Sequence, residues 1–334
     1  MAKVSRVEVA RAFFSPPPPA MLQELVADGT ITTAQAVLAA RVPVAGDLTA
    51  EADSGGHTDN RPAMALLPAM LALAARSTRE YGYRTALRVG AAGGISTPAA
   101  AAAAFALGAA YVMTGSVNQA CVESGTSAAV RTMLGQAEQA DTAMAPAADM
   151  FELGTTVQVL KRGTMFAMRA ARLRELYRSH PSLESIAAPD RAVLEKNLFR
   201  MSLDDAWHDT RRFFAERDPA QIELAERDPK HKMALVFRSY LGRASRWATD
   251  GDASRALDYQ IWCGPAMGAF NEWTRGTFLA DPAARRVVLI AKNIMHSAAV
   301  ITRIQSLRNQ GVEVPAELRN RAPMTARQLA EVCP

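Results

Sequence analysis

Two stretches of this chain place glycines at the point where a short apolar strand gives way to a helix. They are RVGAAGGISTP at 88–98 and GAAYVMTGS at 108–116, with an alanine-rich helix between them. The apolar runs predict strands at 87–91 and 110–113. A strand, a helix and a second strand in immediate succession predict parallel strands joined by right-handed crossovers. The pattern therefore predicts an α/β fold.

The glycines at these two strand ends are candidates for binding a phosphate group. Glycine lets the backbone approach an anion closely, and the free N–H groups at a helix N-terminus favour negative charge. One such glycine pair alone is better explained as a turn, whereas two loops a single βα unit apart favour a phosphate site. The candidates are Gly93, Gly94, Gly115 and Ser116. Their spacing matches neither G-x-G-x-x-G nor a Walker loop, which argues against a dinucleotide fold or a nucleotide triphosphatase.

Two more strands and several helices are predicted before residue 140. In chain order they are a strand end at 1–6, a helix at 7–14, short helices at 20–28 and 33–41, a buried strand at 44–52 and a helix at 63–81. The Pro16–Pro19 run ends the first helix, because proline lacks the N–H that a helix interior requires. Thr32 or Thr33 is the predicted N-cap of the third helix. Residues from about 16 to 42 are interpreted as a helical insertion.

Beyond residue 140, charged amphipathic helices replace the alternation of strands and helices. One further strand is predicted at 155–160. The predicted helices lie at 167–179, 190–198, 202–216, 219–226, 230–240 and 284–308. We therefore predict two parts, residues 1–140 with the parallel strands and a mainly helical region at 141–334, with a boundary between about 140 and 165.

The segment EADSGGHTDNRP at 51–62 contains the candidate catalytic residue, His57. A histidine can donate a proton or stabilise a developing oxyanion near neutral pH, and the preceding Gly55 and Gly56 let a flat ring lie close to the backbone. A solvent-exposed histidine in a polar loop explains the segment equally well. The charged residues Asp53, Asp59 and Arg61 either orient His57 or anchor the loop, and a surface salt bridge is the commoner role.

Charge and cysteine usage narrow the classes of function. The net charge of +5 comes without a basic run interleaved with aromatic residues, so nucleic-acid binding is disfavoured. The absence of a run of about 18 uncharged apolar residues and of a secretory signal predicts a cytoplasmic protein without a membrane span. Cys121, Cys263 and Cys333 form no C-x-x-C pair, so neither disulfides nor a zinc site is expected. The remaining four histidines show no ligand spacing, and no metal is expected.

In combination, seven segments between Lys3 and about residue 275 resemble those of one enzyme family. They are AKVSRVEVA at 2–10, EADSGGHTDNRP at 51–62, RVGAAGGISTP at 88–98, VMTGSVNQACVESGTS at 112–127, PAADMFELGTTVQVLKRG at 146–163, RDPKHKMALVFR at 227–238 and CGPAMGAFNEW at 263–273. The family is that of the trans-acting enoyl reductases of polyketide and polyunsaturated fatty acid synthases, a branch of the 2-nitropropane dioxygenase (nitronate monooxygenase) flavin barrels.

The resemblance implies a TIM (β/α)8-type flavin barrel, of which this chain supplies the C-terminal half, about strands 5–8. Four strands are predicted where the closed barrel has eight, so the others are expected upstream in a longer protein or in another chain. The implied cofactor is FMN, reduced by NADPH or NADH. In this family the two glycine loops hold the phosphate, the glycine-glycine-histidine motif of Gly55, Gly56 and His57 lies beside the flavin, and Lys3 contacts it.

The implied reaction is reduction of a 2,3-unsaturated acyl thioester held on an acyl carrier protein, with His57 bonding the thioester oxygen or supplying the α-proton. Arg169, Arg172 and Arg174 are candidates for docking the acidic carrier, although solvated helix surfaces explain them as well. Oxidation of an alkyl nitronate and an inactive barrel fragment are the alternative functions. A monomer and a homodimer both remain open.

Overall fold

A computed structural model describes residues 1–318 and 322–332 of the 334-residue chain. Its strands, in chain order, are β1 (Ala2–Val4), β2 (Asp47–Glu51), β3 (Gly56–His57), β4 (Arg88–Ala92), β5 (Thr142–Pro146) and β6 (Thr156–Leu160). Cys333 lies outside the described residues. The predicted strands at 1–6, 44–52, 87–91 and 155–160 are confirmed within a few residues.

The helices cluster in long runs after residue 160. In chain order they are α1 (Val7–Phe14), α2 (Pro19–Ala27), α3 (Thr33–Ala39), α4 (Ala63–Glu80), α5 (Pro98–Ala106), α6 (Ser116–Gln119), α7 (Ala128–Gly135), α8 (Phe166–Ser179), α9 (Ala188–Val193), α10 (Leu203–Arg217), α11 (Ala220–Arg227), α12 (Pro229–Asp250), α13 (Ala266–Thr274), α14 (Val287–Asn309) and α15 (Ala326–Val332). A π-helical turn follows α9 at Leu194–Phe199, and short 3-10 segments lie at 253–258, 278–280, 282–284 and 316–318.

The chain divides into two compact units. The first comprises residues 1–54, 58–123 and 264–334, and the second comprises 55–57 and 124–263. The chain thus passes from the first unit to the second after Glu123, whereas the predicted boundary lies between about 140 and 165. The helices after residue 264 belong to the first unit, whereas the prediction places them in one helical region with residues 141–263. The reason is packing: α14 lies against α5, and the periodicity of a helix does not reveal its partner.

The first unit is built on a parallel sheet with the order β1-β2-β4. Lys3 is paired with Thr49 and Thr49 with Gly90, and a parallel bridge joins Ala91 to Val112 at the far edge. The segment predicted as a strand at 110–113 forms only this isolated bridge, but it runs parallel to β4 and beside it, as expected. In the described part of the chain these strands form an open sheet, and a closed barrel is not seen.

Two helices of the first unit show how its core is closed. α4 buries one stripe of apolar residues, including Leu66, Met70 and Leu73, at the spacing of a helix face. α14 buries Ile290 and Ile294. By length and composition α14 also qualifies as a membrane span, but a helix with a buried face in a packed protein meets the same criteria.

The two short helices predicted between residues 16 and 42 are confirmed as α2 and α3. The Thr32 side chain accepts a hydrogen bond from the Gln35 backbone N–H, and the Gln35 side chain accepts one from the Thr32 N–H, which is a capping box. Thr32 is therefore the N-cap. α3 buries none of its residues, so local capping rather than core packing defines where it begins.

The second unit combines a small antiparallel sheet with helices α7 to α12. The sheet has the order β3-β6-β5, and neither β3 nor β5 is predicted by the sequence pattern. Its core contains a ring cluster in which Phe151 packs edge-on against Phe237 and Phe199 lies against Tyr240. Antiparallel pairing brings Gly56 opposite Gln158, so β3 exists only because β6 offers it a free edge.

A buried carboxylate organises the helices of the second unit. Asp258 has no exposed surface and accepts hydrogen bonds from the Tyr240 hydroxyl at 2.6 Å, from Arg255 at 3.2 Å and from Arg169. Arg255 also donates to the carbonyl oxygens of Leu198 and Phe199 at the end of the π-helical turn. One carboxylate thus links α8, α12 and the segment after α9.

Candidate cofactor and catalytic sites

The two glycine loops of the first unit lie at the same edge of the sheet. The Met113 N–H donates to the Ala91 carbonyl at 2.9 Å, so the strand residues before Gly115 run beside β4. Gly93 and Gly94 follow β4 directly. Because both strands are parallel and adjacent, their carboxyl ends, and the glycines that follow them, meet at one edge. The structure therefore brings the predicted phosphate residues together.

Two glycines in the first loop adopt backbone angles that other residues rarely take. Gly93 has φ +79° and Gly94 has φ +76°. A Cβ atom on Gly93 would lie 2.5 Å from the Ala52 carbonyl oxygen, whereas one on Gly94 or Gly115 would meet no atom within 4 Å. Gly93 is required by close packing, and Gly94 and Gly115 border open space next to the backbone.

A buried hydroxyl in the same loop has no partner. The Ser96 side chain is fully buried, and its Oγ makes no hydrogen bond to the described protein. The next residue, Thr97, caps α5 by accepting from the Ala100 N–H at 3.2 Å, with Pro98 in the first turn. Unbonded buried hydroxyls are costly, so Ser96 marks a place where an acceptor is expected. No sequence pattern distinguishes Ser96, because a serine beside a capping threonine gives no distinct signal.

Ser116 in the second loop already has a structural bond. Its Oγ accepts a hydrogen bond from the Gly264 N–H at 3.1 Å, which ties the start of α13 to the loop. The hydroxyl proton is not used by that bond and can still be donated. The Thr114 hydroxyl donates to the Asn118 side-chain oxygen at 2.8 Å across the same turn. The second loop is therefore held in place by side chains on both sides of Gly115.

Lys3 is the middle residue of β1, and its side chain extends to Glu51 at the end of β2. Its Nζ lies 2.7 Å from Glu51 Oε1, which also accepts from the Ser54 hydroxyl at 3.1 Å. Just over half of the Lys3 side chain is exposed. The lysine charge is therefore placed at the edge of the sheet that carries the glycine loops, with Glu51 holding the side chain there.

In the second unit, His57 has a carboxylate partner. His57 Nε2 lies 3.1 Å from Asp149 Oδ1. The imidazole also packs edge-on against the Trp262 ring, with centroids 5.7 Å apart. About a third of the His57 side chain is exposed. The histidine is therefore oriented by two neighbours and still accessible, which meets the geometric needs of a proton donor.

Gly55 and Gly56 make this arrangement possible. A Cβ on Gly55 would lie 2.8 Å from the Cys263 backbone nitrogen, and one on Gly56 would lie 2.8 Å from the Trp262 ring. Gly56 also has φ +82°. Both glycines are therefore required for the segment around Trp262 to approach the backbone that carries His57.

The predicted partners of His57 have other roles. Asp59 accepts a hydrogen bond from Ser5 at 2.5 Å and lies 3.6 Å from Arg6. Asp53 accepts from the Asn60 side-chain amide at 3.2 Å, and its N–H donates to the Arg61 carbonyl. Asp53 and Asp59 anchor the loop through their side chains, and Arg61 does so through its backbone carbonyl. The partner of His57, Asp149, lies far along the chain, and no local pattern identifies it.

The three arginines considered for carrier docking are engaged inside the second unit. Arg169 is bonded to the buried Asp258. Arg172 pairs with Glu175 at 2.7 Å and with Asp190 at 2.5 Å, and Arg174 donates to a backbone carbonyl. Carboxylates thus compensate the charges of Arg169 and Arg172, and a backbone carbonyl holds Arg174, so these side chains are engaged within the second unit.

The two described cysteines, Cys121 and Cys263, are buried, and their thiols are unreactive at neutral pH. Burial raises the pKa of Cys121 from 9.0 to about 11 and that of Cys263 to about 12. Both thiols therefore stay protonated at neutral pH, and a protonated thiol is a poor nucleophile and metal ligand. Among residues 1–318 and 322–332, no group of three or more histidine, cysteine, aspartate or glutamate side chains is placed to bind a metal ion.

The known proteins most similar in sequence that are described here take part in fatty acid or polyketide biosynthesis. Residues 180–259 match the model of the inserted helical domain of acyl-carrier-protein S-malonyltransferase. Over 317 residues the chain is 50% identical to a subunit of the polyunsaturated fatty acid synthase of Thraustochytrium sp., a match that covers 92% of this chain and 21% of that protein. Over 309 residues it is 47% identical to the polyketide biosynthesis protein PksE of Bacillus subtilis, covering 92% of this chain and 40% of that one.

A solved structure extends the comparison to the fold. The enoyl reductase domain of MlnA, from the macrolactin biosynthesis cluster of Bacillus amyloliquefaciens, is 38% identical with a TM-score of 0.87. The match covers 92% of this chain and 69% of that domain. The chain thus spans less than half the length of the two curated relatives but most of this single domain.

Proposed function

Because the chain belongs to the family of enoyl reductase domains of polyketide and polyunsaturated fatty acid synthases, we propose that it is an FMN-dependent, trans-acting enoyl reductase. Its proposed substrates are 2,3-unsaturated acyl thioesters on an acyl carrier protein. The proposed electron donor is NADPH or NADH, the proposed location is the cytoplasm, and the proposed complete fold is a (β/α)8 barrel to which this chain contributes the C-terminal strands.

The observation that carries the proposal is the pair of glycine loops at one edge of the parallel sheet. Gly94 and Gly115 leave open space beside the backbone, and the N-terminus of α5 adds its favourable dipole. Ser96 supplies a buried hydroxyl that lacks an acceptor. A phosphate monoester fits all three features, so these residues suit the phosphate end of FMN. Lys3, at the same edge, adds a positive charge.

In the proposed reaction, the flavin would transfer the hydride and a protein side chain would donate the proton. When bound, FMN would supply the transfer of a hydride from the reduced nicotinamide to the β-carbon of the 2,3-unsaturated thioester. The enolate that forms then needs a hydrogen-bond donor at its oxygen and a proton at the α-carbon. His57 is the proposed donor, and Asp149 holds the imidazole in one orientation. Trp262 packs against the imidazole and limits its rotation.

The proposed partner is an acyl carrier protein. The match of residues 180–259 to a helical domain from an acyl-carrier-protein S-malonyltransferase supports this partner, as do the synthase relatives. Since Arg169, Arg172 and Arg174 are internally paired, they are not proposed as the docking surface. Whether the active form is a monomer or a homodimer is left to measurement of its mass in solution.

A paired assay tests the reaction. The purified chain, supplied with FMN, is incubated without oxygen with NADPH and the crotonyl thioester of N-acetylcysteamine, and the butyryl product is quantified. A second assay offers propane-2-nitronate and oxygen. We expect product only in the first assay and loss of most of it in His57→Ala with FMN content retained. Turnover of the nitronate with no thioester reduction would replace the proposal with a nitronate monooxygenase.

A further inference from the structure

The second unit contains a cleft that the proposed function does not use. Its two long walls are α10 and α12, and Ala148 and Asp149, in the segment after β5, close one end. The volume is about 700 Å³, which falls within the range of small-molecule sites in proteins. Along α12 the lining runs from Leu235 to Asp250, which is about 22 Å at 1.5 Å per residue. The cleft is therefore long as well as deep.

The walls of the cleft are mainly apolar. They include the rings of Phe213, Phe214 and Trp247 and the buried side chain of Leu235. Phe213 is 49% exposed, so an apolar ring faces solvent at the side of the cleft. Exposed aromatic surface in a concave site is typical of ligand binding rather than of a solvated helix face.

Gly242 keeps the floor of the cleft open. It lies in the interior of the 22-residue helix α12, where glycine is less favourable than nearly any other residue. A Cβ at this position would meet no atom within 4 Å, and the helical backbone needs no unusual angle there. Neither packing nor backbone conformation therefore requires glycine at this position. Because Gly242 has no side chain, the cleft is open there.

The charged residues at the cleft compensate one another. Arg238 pairs with Glu152 at 3.0 Å, Arg246 lies 3.4 Å from Asp250, and Arg243 lies 3.8 Å from Asp209. Each of the three arginines that line the cleft thus has a carboxylate beside it. An anionic ligand such as a phosphate would have to break these pairs, whereas a neutral hydrocarbon would not. The chemistry of the cleft therefore selects an uncharged apolar occupant.

One end of the cleft reaches the proposed catalytic histidine. Asp149 lines the cleft, and its carboxylate is bonded to His57. We propose that the cleft binds the hydrocarbon tail of the acyl thioester, the part beyond the reacting carbons. This inference rests on the proposed function, because it places the thioester near His57. It makes the cleft between α10 and α12 a determinant of acyl chain length.

A binding experiment tests the cleft without requiring turnover. The saturated dodecanoyl and butyryl thioesters of N-acetylcysteamine are titrated into the FMN-loaded protein by calorimetry. The test variant is Gly242→Leu, which fills the floor and improves helix propensity. The control is Thr249→Leu, an exposed position on the same helix that does not line the cleft. Phe213→Ser is a second test variant, and its exposure makes it compatible with folding.

Each outcome decides one point. We expect the wild type and Thr249→Leu to bind the dodecanoyl thioester at least about tenfold more tightly than the butyryl thioester, because added methylenes favour an apolar site. In Gly242→Leu and Phe213→Ser that preference should fall below about threefold. A wild type without chain-length preference, or a Gly242→Leu variant that keeps it, would overturn the proposal. Chain-length-dependent binding without reduction of an enoyl thioester would contradict the proposed reaction and leave the cleft assignment intact.

Discussion

The glycines of the two loops differ in the atoms that an added methyl group would contact. Substitution can therefore distinguish a role in folding from a role in binding. Gly93 combines φ +79° with a Cβ position 2.5 Å from a backbone oxygen, whereas Gly115 has open space and no positive φ. Gly93 is thus predicted to matter for folding of the loop, and Gly115 for access of a phosphate to the backbone.

Alanine substitutions test that separation. Gly93→Ala is expected to lower the free energy of unfolding by about 1–3 kcal/mol, since it forces a strained backbone, and to weaken FMN binding. Gly115→Ala should weaken FMN binding with little change in stability. Gly46→Ala, at a position outside the loops with equally open space, serves as the control. Urea denaturation and FMN titration measure the two effects, and equal losses of stability in Gly93→Ala and Gly115→Ala would contradict the distinction.

Asp149 is predicted to act as a positioning residue through His57. Replacing it with asparagine keeps the shape and removes the charge that orients the imidazole. We expect Asp149→Asn to lower kcat by about 10- to 100-fold, in line with other residues that orient a functional histidine, with KM and FMN content nearly unchanged. Glu138→Gln, which removes only an exposed carboxylate beside Arg162, should leave kcat within about twofold. A higher KM with an unchanged kcat would show that Asp149 contacts the substrate instead.

The buried thiols predict a loss of stability at high pH. Burial raises the pKa of Cys263 from 9.0 to about 12, so above pH 9 the unfolded chain releases a proton that the folded chain keeps. Stability contributed by this thiol is fully present below pH 9 and is lost as pH rises towards 12. Between pH 9 and 10.5 the loss is on the order of 2 kcal/mol. Urea unfolding at both pH values should show a smaller loss in Cys263→Ala, and an identical loss would refute the linkage.

At the scale of elements, segments with local signals are predicted well. The bounds of α1 agree with the prediction at both ends, because a proline run ends that helix, and Thr32 caps α3 through a pattern visible in the sequence. β3 and β5 are missed. Their residues become strands only through antiparallel pairing with β6, a long-range contact that a local pattern does not contain.

The helical part of the second unit depends on one buried carboxylate. Removing Asp258 would leave Arg169 and Arg255 without their partner inside the protein. We expect Asp258→Ala to lower the free energy of unfolding by about 3–5 kcal/mol, as for other broken buried ion pairs. Asp250→Asn, which breaks only an exposed pair with Arg246, should cost less than about 1 kcal/mol. Similar losses in the two variants, measured by urea denaturation, would show that the Asp258 network is not central.

At the scale of the whole molecule, the sequence predicts the α/β character, the parallel strands and the glycine loops, and the resemblance to enoyl reductases is confirmed. The division into units is not foreseen. Residues from 264 onward return to the first unit through α14 and α5, and the partner of a helix is decided by three-dimensional packing. For the same reason the sequence offers His57 as a candidate without its contact to Asp149, and the glycine loops as candidates without the buried hydroxyl of Ser96.

The chain covers 21% and 40% of the lengths of two curated relatives, so binding of an acyl carrier protein is a proposal for this chain and is tested separately from its flavin site. The proposed phosphate site for FMN is formed by residues of this chain and can be tested on it. It requires that the phosphate, rather than the ring system alone, contributes to binding.

The most direct test of the central claim compares the binding of FMN and riboflavin, which differ by the phosphate. Quenching of flavin fluorescence on titration with the purified protein gives both dissociation constants. The account predicts that FMN binds at least about 100-fold more tightly, since the two glycine loops and the α5 N-terminus receive the phosphate. Equal affinity for the two flavins, or binding of neither by folded protein, would contradict it.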